Sequence, residues 1–306
     1  MLYFKCLKCN GDLGHYQYNL AKYQCQKCHQ VYHATDGIVD FLIDSDDLAD
    51  NIHEDRLSSF AGQVLDIDII AYSQRLGSLF HDYTLKSNQP LSSGALVTRP
   101  ASALLDVGCG YGALLLAAAT RFDLVVGVNI DLQELQSCRR LIKDKNVSNV
   151  ILVRASAHNL PFRPAQFSAI TCIDVMEHVR NPTRVLNQLK IMLKPQSRLY
   201  LGIPNRFSLR PDLHTGLRWI GFMPVRWGNK YTAFRGKYPQ YQGLNWFSLK
   251  DVETLLKSEF GSQYVFVRSG VHKSWLARLA QRVWEVPVLS ILARRLVSEF
   301  EIIAWA

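Results

Sequence analysis

Ala103-Leu104-Leu105-Asp106-Val107-Gly108-Cys109-Gly110-Tyr111-Gly112 is the stretch that decides the fold, and Ala113-Leu114-Leu115-Leu116-Ala117-Ala118-Ala119 follows it at once. An apolar run, an acid, three glycines at alternate positions and a helix-prone run occur in that order. The order reads as strand, glycine turn, helix. Glycines let the backbone take positive φ and let a ligand approach closely. The helix that follows aims unpaired N–H groups and its positive dipole end at such a ligand. A phosphate-cradling loop would carry a Lys. Asp106 stands here instead, and it suits a ligand with a cationic or amino end.

With its strand, acid, glycines and helix in sequence, LLDVGCGYGALLL resembles the first motif of class I S-adenosylmethionine (SAM)-dependent methyltransferases. The resemblance extends outward. Leu124–Asn129 resembles the second strand, Val150–Arg154 the third, Phe167–Asp174 the fourth and Arg198–Asn205 the fifth. Ala157–Phe162 resembles the adenine-side loop, and Val175–Val179 the segment after the fourth strand. Val185–Leu193 reads as a helix closed by Lys194-Pro195-Gln196, where the family carries Lys-Pro-Gly-Gly. The likeness resumes with a helix over Ser248–Gly261, a strand over Tyr264–Ser269 and a final strand over Glu299–Trp305. It implies an α/β fold: a Rossmann-like sheet of seven strands with helices on both faces. It also implies that SAM is held by Asp106, Gly108, Cys109, Gly110 and Gly112, by Asn129 and Ile130, by Ser156 and Ala157, and by Asp174.

The chain departs from the family pattern at three positions. Asn129, Ser156 and Ser168 each stand where the family carries an acid. An Asn amide can still hydrogen-bond a ribose, and a Ser hydroxyl can still accept from an adenine amino group. Neutral bonds of this kind are weaker than charge-assisted ones. A working SAM site of reduced affinity is the expectation, with a degenerate, non-catalytic scaffold as the rival.

Near the N-terminus, Cys6-x-x-Cys9 and Cys25-x-x-Cys28 have the spacing of a four-thiolate structural zinc site. His29 and His33 lie nearby, but four Cys fill a tetrahedral shell. Lys8–Leu42 resembles zinc-ribbon modules that partner methyltransferases, and the ribbon of a bacterial ribosomal-RNA guanine methyltransferase.

The 306 residues, 48% of them hydrophobic, accommodate one α/β domain with accessories. The expected division is a ribbon over 1–43, a helical lead-in and linker over 44–100, and a methyltransferase domain over 101–306 with insertions at 206–247 and 271–298. Three cysteines beyond the zinc set, Cys109, Cys138 and Cys172, read as scattered buried or semi-buried thiols, which suits a reducing compartment. With no signal-peptide layout and no membrane-spanning apolar run, a cytoplasmic protein is expected, soluble or peripheral to a membrane. Phe60–Leu79 carries apolar residues at roughly helical spacing; the resemblance implies helices here that lie over the cofactor, and on periodicity alone a plain packing helix fits as well.

The net charge is +9, and residues 206–247 hold seven basic residues against Asp212 alone, interleaved with ten aromatics. That mixture suits an acceptor that is anionic or amphipathic. Val271–Ser298 carries Trp275, Leu276, Leu279, Val283 and Trp284 at helical spacing, a pattern that docks on protein or in a membrane interface. His178, with Glu177 beside it, is the leading candidate for a general base, and His214 and Tyr241 are weaker ones. The expected activity is methyl transfer to oxygen on a small, lipid-linked or sugar-linked metabolite, and the core resembles the branch that includes quinone-biosynthesis methyltransferases. RNA is the second choice of acceptor, since the ribbon and the charge suit it. Asp174-Val175-Met176-Glu177 stands where one class of base amino-methylating enzyme carries Asn-Pro-Pro-Tyr.

Overall fold

The computed structural model describes residues 1–17, 20–42, 102–212, 214–237, 243–267 and 299–306. The expected lead-in, linker and second insertion lie outside the described residues.

Seven strands form the expected core: β6 (Ala103–Val107), β7 (Leu124–Asn129), β8 (Val150–Arg154), β9 (Phe167–Ile173), β10 (Leu193–Pro204), β11 (Tyr264–Val267) and β12 (Glu299–Trp305). Their spatial order is β11-β12-β10-β9-β6-β7-β8. The pairs from β8 through to β10 are parallel, and β12 runs antiparallel to both β10 and β11. The strand sequences are near-continuous apolar runs because both faces are covered. Adjacent residues split between those faces, as a pleat requires. Leu104 and Val125 pack with Leu114, Leu115, Leu135 and Ile142, from α1 (Ala113–Ala119) and α2 (Leu132–Asp144). Leu105 and Val126 pack with Leu186, Leu189, Val252 and Leu256, from α3 (Pro182–Met192) and α5 (Leu249–Phe260).

The chain winds β6, β7, β8 in one direction and then returns to place β9 on the other side of β6. That reversal opens a crevice beyond the carboxyl ends of β6 and β9, where open α/β sheets bind ligands.

The observed elements agree with the sequence reading at β7, β8 and β12, and differ by a few residues elsewhere. The helix read over 185–193 begins earlier, at Pro182, because Asn181 caps it by accepting from the Arg184 amide and Pro is preorganised for a first turn. β10 begins at Leu193, with no loop after α3. Gln196 takes φ 62 within it, the left-handed conformation that the family's glycine would supply. Ser248 and Asp251 form a capping box that starts α5.

The first five strands are β1 (Tyr3–Lys5), β2 (Asp12–His15), β3 (Lys22–Gln24), β4 (Val31–Thr35) and β5 (Ile38–Asp40). β1 and β2 form a small sheet of their own. β3, β4 and β5 instead continue the central sheet, because Ile38–Asp40 pairs in parallel with Leu152–Arg154. The ribbon therefore covers the β8 edge and gives a sheet of ten strands. Phe4, Tyr23, Tyr32 and Phe41 are buried together, and Phe4 lies 5.8 Å, ring to ring, from Phe162 of the adenine-side loop. The Lys5 amide donates to the Pro161 carbonyl at 2.9 Å, which ties the ribbon to the same loop.

Candidate cofactor and acceptor site

The glycine turn leaves β6 at the crevice. Gly108 and Gly112 hold φ 80 and 87, and a Cβ on either would stand 2.1 Å from Val175 Cγ2 or 2.2 Å from Cys138 Sγ. Both positions need glycine for conformation and for space. Gly110, at φ 49, meets nothing closer than Glu134 Oε2 at 3.9 Å, so the middle of the turn is open. α1 spans only seven residues, so the turn's capacity to hold a ligand rests on backbone shape and on Asp106 more than on a helix dipole. Cys109 is buried and its amide donates to the Val128 carbonyl, which pins the turn to β7.

Asp106 is buried and accepts from the Thr171 hydroxyl at 2.7 Å. Burial pushes its carboxyl up to about 7, against the opposing effect of that hydrogen bond. A cationic group arriving beside it would favour the ionised form.

At the end of β7 the structure adds a residue that the sequence reading missed. Asn129 Nδ2 donates to Glu134 Oε2 at 2.5 Å, and Asn129 Oδ1 accepts from the Ile130 amide at 2.8 Å. Glu134, on the first turn of α2, thus carries a carboxylate to the position where the family's acid is absent. Burial raises the Glu134 carboxyl, and the Asn129 hydrogen bond offsets part of the shift. The signal in the sequence was the five-residue offset from strand end to helix start, with Asp131 capping α2 through the Glu134 amide at 2.9 Å. The Ile130 carbonyl accepts from Arg154 Nε at 3.0 Å, and Arg154 also pairs with Asp40 of β5 at 3.0 Å. One guanidinium therefore joins the ribbon to the β7 end.

Ser156 is buried, and its oxygen accepts from the His158 amide at 3.2 Å and lies 3.3 Å from His158 Nδ1. His158 Nε2 accepts from the Asn181 amide, so Nδ1 carries the proton in the neutral ring. With both lone pairs engaged, Ser156 has its O–H left to donate, whereas the sequence reading has it accept from an adenine amino group. Ala157 follows it, half-buried. The third departure lies elsewhere: Ser168 is at the opposite end of β9 from the crevice, where its hydroxyl bonds the Ala103 amide and carbonyl across to β6. Its lost acid carries no information about the cofactor.

Beyond β9, Asp174 takes φ 54 and turns the chain so that Val175 packs against Gly108. Glu177 is buried and His178 is partly exposed. His214, from the first insertion, reaches this turn, and the two Nε2 atoms lie 3.1 Å apart. Asn245, near the end of that insertion, donates through its side chain to the Met176 and Val179 carbonyls and through its amide to the Glu177 carbonyl. Burial, followed by the Asp174 charge, raises the Glu177 carboxyl well above its ordinary value. Tyr241 lies outside the described residues.

At the other edge, Cys6, Cys9, Cys25 and Cys28 come together with their Sγ atoms within 4.8 Å of one another. Cys6 and Cys28, and Cys9 and Cys25, are 3.5 Å apart. Tetrahedral zinc with Zn–S of about 2.3 Å sets sulfurs about 3.8 Å apart, so the set fits that metal. Each pair sits on a knuckle whose next residue is left-handed, Asn10 at φ 57 and His29 at φ 60. His29 and His33 are both exposed, outside the set.

Residues 105–201 match the family described as "Methyltransferase domain". Over these residues the chain has a methyltransferase domain. The ubiquinone biosynthesis O-methyltransferase of Xanthomonas campestris pv. campestris is 30% identical over 112 residues, which are 37% of this chain and 47% of that protein. An uncharacterized 37.1 kDa protein in transposon TN4556 of Streptomyces fradiae is 25% identical over 159 residues, 51% of this chain and 46% of that one. The chain thus spans about half the length of the curated relatives it matches. Among solved structures, a putative S-adenosyl-L-methionine-dependent methyltransferase from Methanococcus maripaludis shares 15% identity at a TM-score of 0.43, covering 78% of this chain and 90% of that one.

Around the methyltransferase domain, the first insertion contributes a 3-10 turn (Ile220–Phe222) and α4 (Val225–Phe234). Trp219, Phe222, Trp227 and Phe234 are exposed there, with Arg218, Arg226 and Arg235 exposed among them. Among the described residues no helix is long and apolar enough to cross a membrane.

Proposed function

We propose that the methyltransferase domain carries a methyl group from SAM to an oxygen of an anionic or amphipathic acceptor. The observation that carries the reading is the meeting, in one crevice, of an open glycine turn flanked by Asp106 and Glu134 with the Glu177–His178–His214 group. SAM, when bound, supplies an activated methyl on a sulfonium. Asp106 would face its amino end, Asn129 and Glu134 the ribose hydroxyls, and Ser156 and Ala157 the adenine side. Asp174, Gly108, Cys109, Gly110 and Gly112 shape the wall between them. The Glu134 carboxylate answers the loss of an acid at 129, which weighs against a degenerate scaffold.

His178 Nε2 would accept the acceptor's hydroxyl proton as its oxygen forms the new bond to carbon and the carbon–sulfur electron pair returns to sulfur. A His suits that task near neutral pH. The exposed aromatics and arginines of the first insertion offer an apolar surface beside positive charge, which suits a phosphate-bearing lipid or sugar conjugate. Methyl transfer from labelled SAM to a panel of such conjugates, compared with a structured RNA panel, tests the reading. Transfer to a conjugate that drops at least tenfold in His178→Ala supports it. Transfer to RNA alone replaces the acceptor class, and transfer to neither panel removes it.

The four-cysteine set would hold structural zinc. Through Asp40, Arg154 and the Phe4–Phe162 contact, the ribbon would brace the adenine side of the crevice.

A further inference from the structure

Glu177 is the anomaly of the crevice. Both carboxylate oxygens are buried, and neither accepts a hydrogen bond among the described residues. Its side chain is 3% exposed. A carboxylate taken out of water without a partner is strongly disfavoured unless it is protonated or matched by positive charge. What faces it is a pair of imidazoles. His178 Nε2 lies 3.8 Å and His214 Nε2 4.0 Å from Glu177 Oε1. The rings meet edge to face, with an interplanar angle of 74°. Two nitrogens and one carboxylate oxygen therefore converge from two separate segments, the turn after β9 and the first insertion.

We propose that Glu177, His178 and His214 bind a divalent transition-metal cation. A cation about 2.1 Å from each imidazole nitrogen holds those nitrogens about 3.0 to 3.4 Å apart, and the observed 3.1 Å agrees. The Glu177 side chain closes the set by a shift of several tenths of an ångström. Asp212 Oδ2 lies 3.8 Å from His214 Nδ1. It is the kind of outer carboxylate that fixes a metal-binding imidazole with its other nitrogen turned inward. Asp212 is itself anchored by the Thr215 amide and hydroxyl, at 2.8 and 2.7 Å. Two imidazoles with one carboxylate select zinc, iron, cobalt or manganese over magnesium or calcium, which prefer oxygen. Three protein ligands, with His178 and His214 still 31% and 16% exposed, leave a position open toward solvent. An open position is the mark of a catalytic site and not a structural one.

Binding of the cation stands on this geometry alone. Its role rests on the methyl-transfer reading above. An acceptor hydroxyl on the open position would be acidified, its proton would pass to solvent water, and the resulting oxygen would bond to the methyl carbon as the carbon–sulfur bond breaks and its electron pair returns to sulfur. With the cation bound, His178 Nε2 is a ligand and water takes the proton; in the cation-free protein His178 Nε2 is the base described above.

The test uses the 306-residue chain with its ribbon already loaded with zinc, titrated with cobalt(II). The expected result is weak visible absorption without sulfur-to-cobalt charge transfer, saturating at one added equivalent. It is lost in His214→Ala and in Glu177→Gln, while both variants keep the wild-type circular dichroism. Cobalt also raises the melting temperature of the wild type and not of Glu177→Gln, a readout that survives if His214→Ala folds poorly. Absence of thiolate-free bands, or equal bands in both variants, overturns the site. SAM titrated into the same samples reports separately on the other reading. Lost SAM binding with cobalt binding retained removes the catalytic role and leaves the cation site standing.

Discussion

The ribbon and the crevice are built on opposite plans. The ribbon draws four like ligands from two local knuckles and closes them around one point, with Tyr23, Tyr32 and Phe41 buried beneath. The crevice draws unlike groups from β6, α2, the turn after β9 and an insertion some thirty-six residues further on, and leaves them partly open. A closed, homogeneous set stabilises. An open, mixed set keeps polar groups unsatisfied until something binds. Changes in the ribbon should therefore appear as stability, and changes in the crevice as ligand affinity.

The largest effect expected is on the ribbon side. Cys25→Ser should lose the metal and with it metal-linked stability on the order of 10 kcal/mol. Hydrogen exchange should show β3 to β5 losing protection while β6 to β10 keep theirs. Uniform loss across the sheet would break the contrast, since the ribbon would then be part of the core's folding unit.

Gly108→Ala comes next. Its Cβ would stand 2.1 Å from Val175 Cγ2 in a left-handed conformation. Overpacking and strain together cost about 2 to 4 kcal/mol. Adding Val175→Ala should return part of that in urea denaturation and leave about 1 kcal/mol of backbone strain. Glu134→Gln should leave stability nearly unchanged and weaken SAM binding roughly tenfold, the worth of a lost charged hydrogen bond. Equal affinity would return the ribose side to Asn129 alone.

Asp106 gives the pH dependence. Its folded value, about 7, lies above an unfolded value of about 3.9, so this group's stability contribution is full below about pH 4, falls as pH rises through that window and is lost above about 7. A bound ammonium favours the ionised form. SAM affinity should therefore climb roughly tenfold from about pH 6 to about pH 8 and flatten above. In Asp106→Asn calorimetry should show no such climb. The smallest effect lies at the seam: Lys143→Ala removes an exposed pair with Asp36 and should change stability by under about 1 kcal/mol.

Much of the fold was legible because its signals are local. The glycine turn, the apolar parallel strands and the two Cys pairs each carry their meaning within a few residues. Asn129 read as a loss for the opposite reason: Glu134 repairs it across a turn, from the next helix. Ser168 also read as a loss, although it lies at the far end of β9 and stitches that strand to β6. His214 was only a minor candidate, because nothing in residues 206–247 alone shows that Asn245 and the Asp212 turn bring it to His178. Nor did the ribbon's spacing reveal that β5 would pair with β8. Contacts between segments distant in the chain are set by packing and not by local pattern.

Calorimetric titration of zinc-loaded protein with SAM and with S-adenosylhomocysteine tests the central claim most directly. The account predicts micromolar binding of both, lost in Gly108→Ala and weakened in Glu134→Gln. No binding of either by the folded protein would contradict it and leave the crevice a scaffold without its cofactor.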